Sequence, residues 1–95
     1  MKNDLSQDKM WDLISFVMIS EARYATLKSL QFHFLMPADI ARNNDMRISK
    51  VSKALQGLKD ENLVECLTEN KRKGRIYAAT PLGIKILEII DNNSP

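Results

Sequence analysis

The stretch PADIARNNDMRISKVSKALQGL, residues 37–58, decides the fold of this chain. Pro37 suits the first position of a helix, where its missing N–H costs nothing. A short helix is therefore predicted from Pro37 to about Arg42, with Ile40 facing inward. The Asn-Asn-Asp run at residues 43–45 is predicted to end it, because these side chains tolerate turn conformations.

A longer helix is predicted from Ile48 to about Glu61. Four apolar residues recur at i, i+3, i+7 and i+10 and predict one inner stripe: Ile48, Val51, Leu55 and Leu58. The rest of the helix surface is polar and basic. A short helix, a tight polar turn and a sharply amphipathic helix together are typical of a helix-turn-helix.

A hairpin is predicted after this pair of helices. Residues 63–68 and 75–79 favour strands, and residues 69–74 between them form a charged turn that contains glycine. Four cations lie within five residues at the tip: Lys71, Arg72, Lys73 and Arg75. Such a tip contributes nothing to a core and repels itself unless an anion lies nearby, as beside DNA phosphates.

Helices are also predicted on both sides of this unit. One covers about Gln7 to Met18, and a second, capped by Ser20, covers Glu21 to about Leu30; a single bent helix is the alternative. Residues 32–36 are short enough for a strand or an extended link. Thr80 is predicted to cap a final helix that begins at Pro81 and reaches residue 91.

Length and charge fit one nucleic-acid-facing domain. The 95 residues allow little beyond a single domain, and the net charge is only +2. Residues 42–75, however, hold nine Lys/Arg against five Asp/Glu, whereas the remainder holds five against seven. A basic segment on a mildly acidic body indicates a polyanion-facing surface, with an ordinary solvated face as the alternative.

Several functional classes are disfavoured by what the sequence contains. Cys66 and His33 are the single members of their types, so neither a metal site nor a thiol sensor pair is expected. Cys66 is predicted to be a buried small hydrophobe and His33 a strand or turn residue. The three glycines form no phosphate loop, so we expect no cofactor and no enzyme. One cysteine, no signal-peptide core and no membrane-spanning stretch predict a soluble cytoplasmic protein.

The order of motifs resembles that of winged helix-turn-helix transcriptional regulators of the MarR/ArsR type, particularly small archaeal ones. The likeness covers about residues 14–87. It is carried by Ser-Glu-Ala-Arg at 20–23, Pro-Ala-Asp-Ile-Ala at 37–41, Ile-Ser-Lys-Val-Ser-Lys-Ala-Leu at 48–55, Leu-Lys-Asp-Glu-Asn-Leu-Val at 58–64, Gly-Arg-Ile-Tyr at 74–77 and Thr-Pro-Leu-Gly at 80–83. Each motif is weak by itself, whereas the ordered set is specific. The absence of Cys/His clusters departs from the metal-sensing ArsR branch.

The predicted fold is mainly α (α+β), a winged helix-turn-helix with a two-stranded wing and extra N- and C-terminal helices. The chain is taken as one domain, with an N-terminal helix in 1–19, the winged-helix core in 20–79 and a C-terminal helix in 80–91. An α-helix fits the DNA major groove. The recognition residues are therefore predicted to be Arg47, Ser49, Lys50, Ser52, Lys53 and Gln56. The backbone and wing contacts are predicted to be Arg42, Lys71, Arg72, Lys73 and Arg75.

The resemblance implies a homodimer that reads a two-fold symmetric operator on double-stranded DNA. The first and last helices look too apolar for exposure on so small a monomer. The predicted dimer interface is Trp11, Ile14, Met18, Leu87 and Ile90. The alternative is that these helices pack on each other and on the core. A different function, a winged helix serving as a protein-interaction module in a transcription or other assembly, also remains open.

Overall fold

The computed structural model describes residues 6–93; residues 1–5 of the predicted N-terminal segment lie outside it. Five helices surround a small antiparallel hairpin. In chain order the elements are α1 (Gln7–Met18), α2 (Glu21–Ser29), α3 (Pro37–Asn43), α4 (Ile48–Asp60), β1 (Val64–Cys66), β2 (Tyr77–Ala79) and α5 (Pro81–Asn92). Across this described range, none of the helices is long and apolar enough to cross a bilayer.

Hydroxyl side chains begin three of the helices. Ser6 Oγ accepts from the amide of Lys9 at 3.1 Å, and Ser20 Oγ accepts from that of Arg23 at 3.2 Å. Thr80 Oγ1 accepts from the amide of Gly83 at 3.0 Å. Each bond satisfies a donor that the first helical turn leaves unpaired. The predicted starts at residues 21, 37 and 81 are confirmed, and α1 and α2 are two helices rather than one bent helix.

The turn between α3 and α4 follows the predicted chemistry. Asp45 adopts φ 54°, a left-handed conformation that Asp and Asn accept more readily than most residues. Asn44 Nδ2 donates to the Ile40 carbonyl and to Ser29 Oγ, both at 2.8 Å. The turn is therefore fixed to α2 as well as to α3.

The hairpin is shorter than predicted. β1 and β2 pair over three residues each, with Val64 opposite Ala79 and Cys66 opposite Tyr77. The Thr80 amide extends the ladder at the base, donating to the Leu63 carbonyl at 3.0 Å, and the Leu67 amide extends it towards the tip, donating to the Ile76 carbonyl at 2.7 Å. Residues 69–74 are all exposed and mostly charged, so no apolar face holds longer strands together there.

The extended link at residues 32–36 touches the hairpin at one point. Leu35 forms an isolated antiparallel bridge with Tyr77, with N–H to O distances of 3.2 and 2.8 Å. The link therefore fixes β2 beside the start of α3. His33 is exposed in this link and lies in neither a strand nor a regular turn, whereas Cys66 is only partly buried and not the buried residue that was predicted.

One apolar core joins the helices to the base of the hairpin. Its fully buried members include Val17, Leu27, Ile40, Val51, Leu58, Leu63, Ile86 and Leu87. The predicted inner stripe of α4 is wrong at its first residue, because Ile48 is 54% exposed. Ala54 takes its place on the buried face. Ile48 opens the helix, where no other element covers that side of the first turn.

Candidate nucleic-acid interface

Helix α4 turns a continuous polar face outward. Val51, Ala54, Leu55 and Leu58 are buried on one side. At about 100° per residue, the side opposite them carries Ser49, Lys53, Gln56 and Asp60. One flank of this outward face holds Lys50 and Gly57, and the other flank holds Ser52 and Lys59. The helix is thus anchored by its apolar face and presents hydroxyl, amide and ammonium groups to the exterior.

All the side chains predicted to read DNA bases are exposed. They are Arg47, Ser49, Lys50, Ser52, Lys53 and Gln56. Arg47 is the N-cap of α4, so it stands at the end of the helix that would enter a groove first. Gln56 Nε2 donates to Asp60 Oδ1 at 2.9 Å, one turn further along. The structure thus brings the predicted recognition residues to one surface.

The wing tip divides into an exposed part and a structural part. Lys71, Arg72 and Lys73 are exposed. Arg75, predicted with them as a DNA contact, turns back instead. Its Nε donates to the Lys71 carbonyl at 2.6 Å, and its second guanidinium arm reaches the Glu69 carbonyl at 3.5 Å. Arg75 therefore closes the turn from inside, and three cations remain at the surface.

An ion pair connects this wing to the end of α4. Lys59 Nζ lies 2.8 Å from Glu69 Oε1. The hydrogen bond raises the pKa of Lys59 and lowers the pKa of Glu69 from their ordinary values, so both groups are charged near neutral pH. The tether places the basic tip on the Lys59 flank of α4.

The remaining predicted backbone contact is Arg42, near the end of α3. Its side chain is 71% exposed, and its guanidinium lies 2.6 Å from Asp39 Oδ1, one turn earlier on the same helix. The carboxylate offsets part of the positive charge that Arg42 would offer to a phosphate. We therefore expect Arg42 to be a weaker phosphate contact than the exposed wing residues.

Several solved structures share this architecture. The ZitR double mutant of Lactococcus lactis in its apo form superposes with a TM-score of 0.68 at 17% identity, over 94% of this chain and 73% of that one. The MepR–DNA complex of S. aureus gives 0.68 at 23% identity, over 90% and 73%. A MepR mutant from a multidrug-resistant S. aureus clinical isolate gives 0.62 at 22%, over 94% and 76%.

The fold is that of a winged helix, the architecture that this chain shares with these structures. In this winged helix α3 and α4 form the helix-turn-helix, and the β1–β2 hairpin is the wing. No family model and no curated protein matches the sequence. At these identities the likeness establishes the architecture, and the predicted mainly α fold with a two-stranded wing is confirmed.

The five residues predicted to form a dimer interface separate into two groups in the winged helix. Ile14, Leu87 and Ile90 are buried within the single chain. Trp11 and Met18 are 57% and 61% exposed and lie two turns apart on one side of α1. Part of the wide apolar surface of α1 packs against α2 and α5, whereas Trp11 and Met18 remain exposed.

Sequence reasoning missed one cationic residue beside α4. Arg23, in the first turn of α2, lies with Lys50 and Lys53 around a surface hollow. The sequence marks Arg23 only as part of the Ser-Glu-Ala-Arg motif at residues 20–23 and not as a DNA contact, because the hollow exists only where α2 packs against α4. Residues 6–93 hold no cluster of three His, Cys, Asp or Glu side chains suited to an ion.

Proposed function

We propose that this protein is a sequence-specific, double-stranded DNA-binding transcriptional regulator. The observation that carries the proposal is the exposed polar and basic face of α4 beside a basic wing tip fixed to the same helix. A helix of this kind fits the major groove, and a wing on its flank then lies along the phosphates. The MepR neighbour of the same fold was crystallised as a DNA complex, which supports this assignment.

The division of labour follows from side-chain chemistry. Ser49, Lys53 and Gln56 project most directly outward and are proposed to contact base edges, since Lys reaches guanine acceptors and Gln pairs with adenine. Arg47 and Ser52 border them and contact bases or backbone. Lys71, Arg72 and Lys73 are proposed to hold phosphates, with Arg42 adding a weaker contact and Arg75 shaping the wing.

The protein is further proposed to act as a homodimer on a palindromic operator. Two copies of one helix-turn-helix read two half-sites when a two-fold axis relates them. The segment 1–19 is assigned to dimerisation through Trp11 and Met18, and the segment 20–79 to DNA binding. We propose no enzymatic activity, no cofactor and a cytoplasmic location.

A second function is favoured by the same exposed pair on α1. Trp11 and Met18 would suit a different protein chain as well as a second copy, because aromatic and Met side chains are enriched at interfaces. The winged helix would then be a protein-interaction module. The basic, hydroxyl-rich face of α4 has no role in that case, so this function ranks second.

Selection of bound duplexes from a random DNA pool tests the proposal, run with the parent protein and a Lys50→Ala/Lys53→Ala variant. Both lysines are exposed, so the variant is expected to fold normally. We expect the parent to enrich a palindromic motif and the variant to lose or relax it. If the parent protein enriches no sequence, sequence-specific recognition is rejected and the protein-interaction function becomes the favoured one.

A further inference from the structure

A hollow of about 340 Å³ opens on the flank of α4 that faces away from the wing. It is lined by Ser20, Ala22, Arg23, Lys50, Lys53 and Ala54. Three of these six residues are cations, and they come from two different helices. We propose that this hollow binds a DNA backbone phosphate and that Arg23 is a DNA-contacting residue; this inference rests on the function proposed above.

The guanidinium of Arg23 is held in place and still has donors to offer. Its Nη1 donates to the Phe16 carbonyl at 2.9 Å, and its central carbon lies 3.9 Å from the centre of the Phe16 ring. A guanidinium carries five N–H donors in a rigid fork, so four remain after this bond. Anchoring by α1 reduces the entropy that Arg23 would lose on binding a phosphate.

The two lysines supply charge that the protein itself does not neutralise. Within residues 6–93, the side chains of Lys50 and Lys53 make neither an ion pair nor a hydrogen bond. Glu21, the carboxylate nearest to Arg23 along the chain, is exposed and does not line the hollow. Cations gathered without a counter-charge repel one another, and a bound anion relieves that repulsion.

The position of the hollow indicates which anion it meets. When α4 lies in the major groove, its outward face meets the base edges and its two flanks meet the phosphates that border the groove. The wing occupies the Lys59 flank, whereas the hollow occupies the Lys50 flank. The winged helix therefore grips both walls of one groove, with α4 between them.

Single-phosphate replacement tests the inference. In the duplex recovered by selection, each phosphate in turn is replaced by a neutral methylphosphonate, and binding is measured for the parent, Arg23→Gln and the control Lys85→Gln. Lys85 is exposed on α5, away from the hollow. At one phosphate per half-site we expect about a tenfold loss for the parent and for Lys85→Gln, since hydrogen bonds to charged groups are strong. Arg23→Gln should lose little from that same replacement.

The outcomes separate this inference from the proposed function. If the parent binds DNA but Arg23→Gln weakens binding equally on every duplex, the contact is absent and Arg23 acts only through the fold. If no duplex binds, amide NMR titrations with inorganic phosphate and with chloride decide the chemistry of the hollow. Saturable shifts at residues 22–23 and 50–53 with phosphate alone support a phosphate site that is filled from solution. No such shifts overturn the inference.

Discussion

Helices α1 and α4 share one core and differ in what they leave outside it. They have 12 and 13 residues, and each buries an apolar face against the same cluster. The exposed side of α1 carries Trp11 and Met18, whereas that of α4 carries hydroxyl groups and lysines. The buried faces determine that the chain folds. The exposed faces are the surfaces that a partner would contact, and on the function proposed above these partners are a second copy at α1 and DNA at α4.

The largest effect is expected where α4 enters the shared core. Leu55 is 2% exposed, so Leu55→Ala should lower the free energy of unfolding by about 2–5 kcal/mol, measured by urea denaturation. The matched control is Ile48→Ala on the same helix, where exposure limits the change to about 0.5 kcal/mol. A cost at Ile48 equal to that at Leu55 would mean that Ile48 is buried in solution, as its sequence spacing predicts.

The next effect concerns the exposed face of α1. If Trp11 and Met18 pair two copies, Trp11→Ser/Met18→Ser should weaken dimerisation by about 30-fold or more, because buried aromatic anchors contribute about 2 kcal/mol each. Sedimentation equilibrium measures the change. Phe32→Ser is the control. Phe32 is 80% exposed, but it lies after the C-terminal end of α2, whereas α1 precedes the N-terminal end of α2. The assignment of α1 as the dimer interface is rejected if the parent protein is monomeric at all concentrations. It is also rejected if both variants have equal effects.

A smaller effect is expected from the wing, on the other side of the comparison. Replacing Lys71, Arg72 and Lys73 by Gln should weaken DNA binding and lower the slope of log affinity against log salt by about 2 to 3, near 0.9 for each lost contact. Lys85→Gln should leave both quantities unchanged, because Lys85 lies on α5. If Lys85→Gln and the wing substitutions have equal effects, then the overall charge of the protein attracts the DNA and the wing makes no specific contact.

The smallest effect is the pH dependence of the contact between α2 and α5. Asp91 accepts from Lys28 Nζ at 2.5 Å and from Tyr24 Oη at 2.7 Å, and these bonds, that of Lys28 first, lower the pKa of Asp91 from its ordinary 3.8. A lowered pKa in the folded state gives stability that is present above about pH 4 and lost as the pH falls through the folded value.

Thermal unfolding of the parent and Asp91→Asn across pH 2–7 measures this contribution. The difference in melting temperature should be largest near neutral pH and should shrink in acid, where both side chains are neutral. Tyr24 has a raised pKa from the same bond, so the contact is also lost in strong alkali, above the ordinary tyrosine value of 10.0. A difference that stays constant with pH would show that Asp91 stabilises the protein without its charge.

Sequence pattern predicted the helices well because their signals are local. Ser20, Pro37 and Thr80 act within one turn of their own positions, and the helices begin where these residues place them. The burial of Ile48 was wrongly predicted because periodicity shows which side of the helix a residue faces. It does not show whether another element covers that side at the first turn. Trp11 was grouped with Ile14 for the same reason: one helix can be apolar over more of its surface than its neighbours cover.

The exposure of the candidate DNA-contacting residues could be predicted where they lie within one element, whereas their neighbours in other elements could not. The exposed face of α4 follows from its own sequence. Arg75 looked like its three cationic neighbours, and only the fold of the turn directs it to backbone carbonyls. Arg23 was noted only within the Ser-Glu-Ala-Arg motif and not as a DNA contact, since its place beside Lys50 depends on how α2 packs on α4. Tertiary packing, which sequence spacing does not encode, decides both.

The inward turn of Arg75 has a consequence for how this protein meets a charged partner. With that guanidinium bonded to Lys71 and Glu69 carbonyls, and with Thr68 Oγ1 accepting from the Ile76 amide at 3.0 Å, the tip keeps one shape before any encounter. At physiological ionic strength an electric field fades within about 8 Å. If the protein binds DNA as proposed, this exposed tip would carry charge of one defined arrangement to the duplex and would favour one orientation of approach before α4 makes contact.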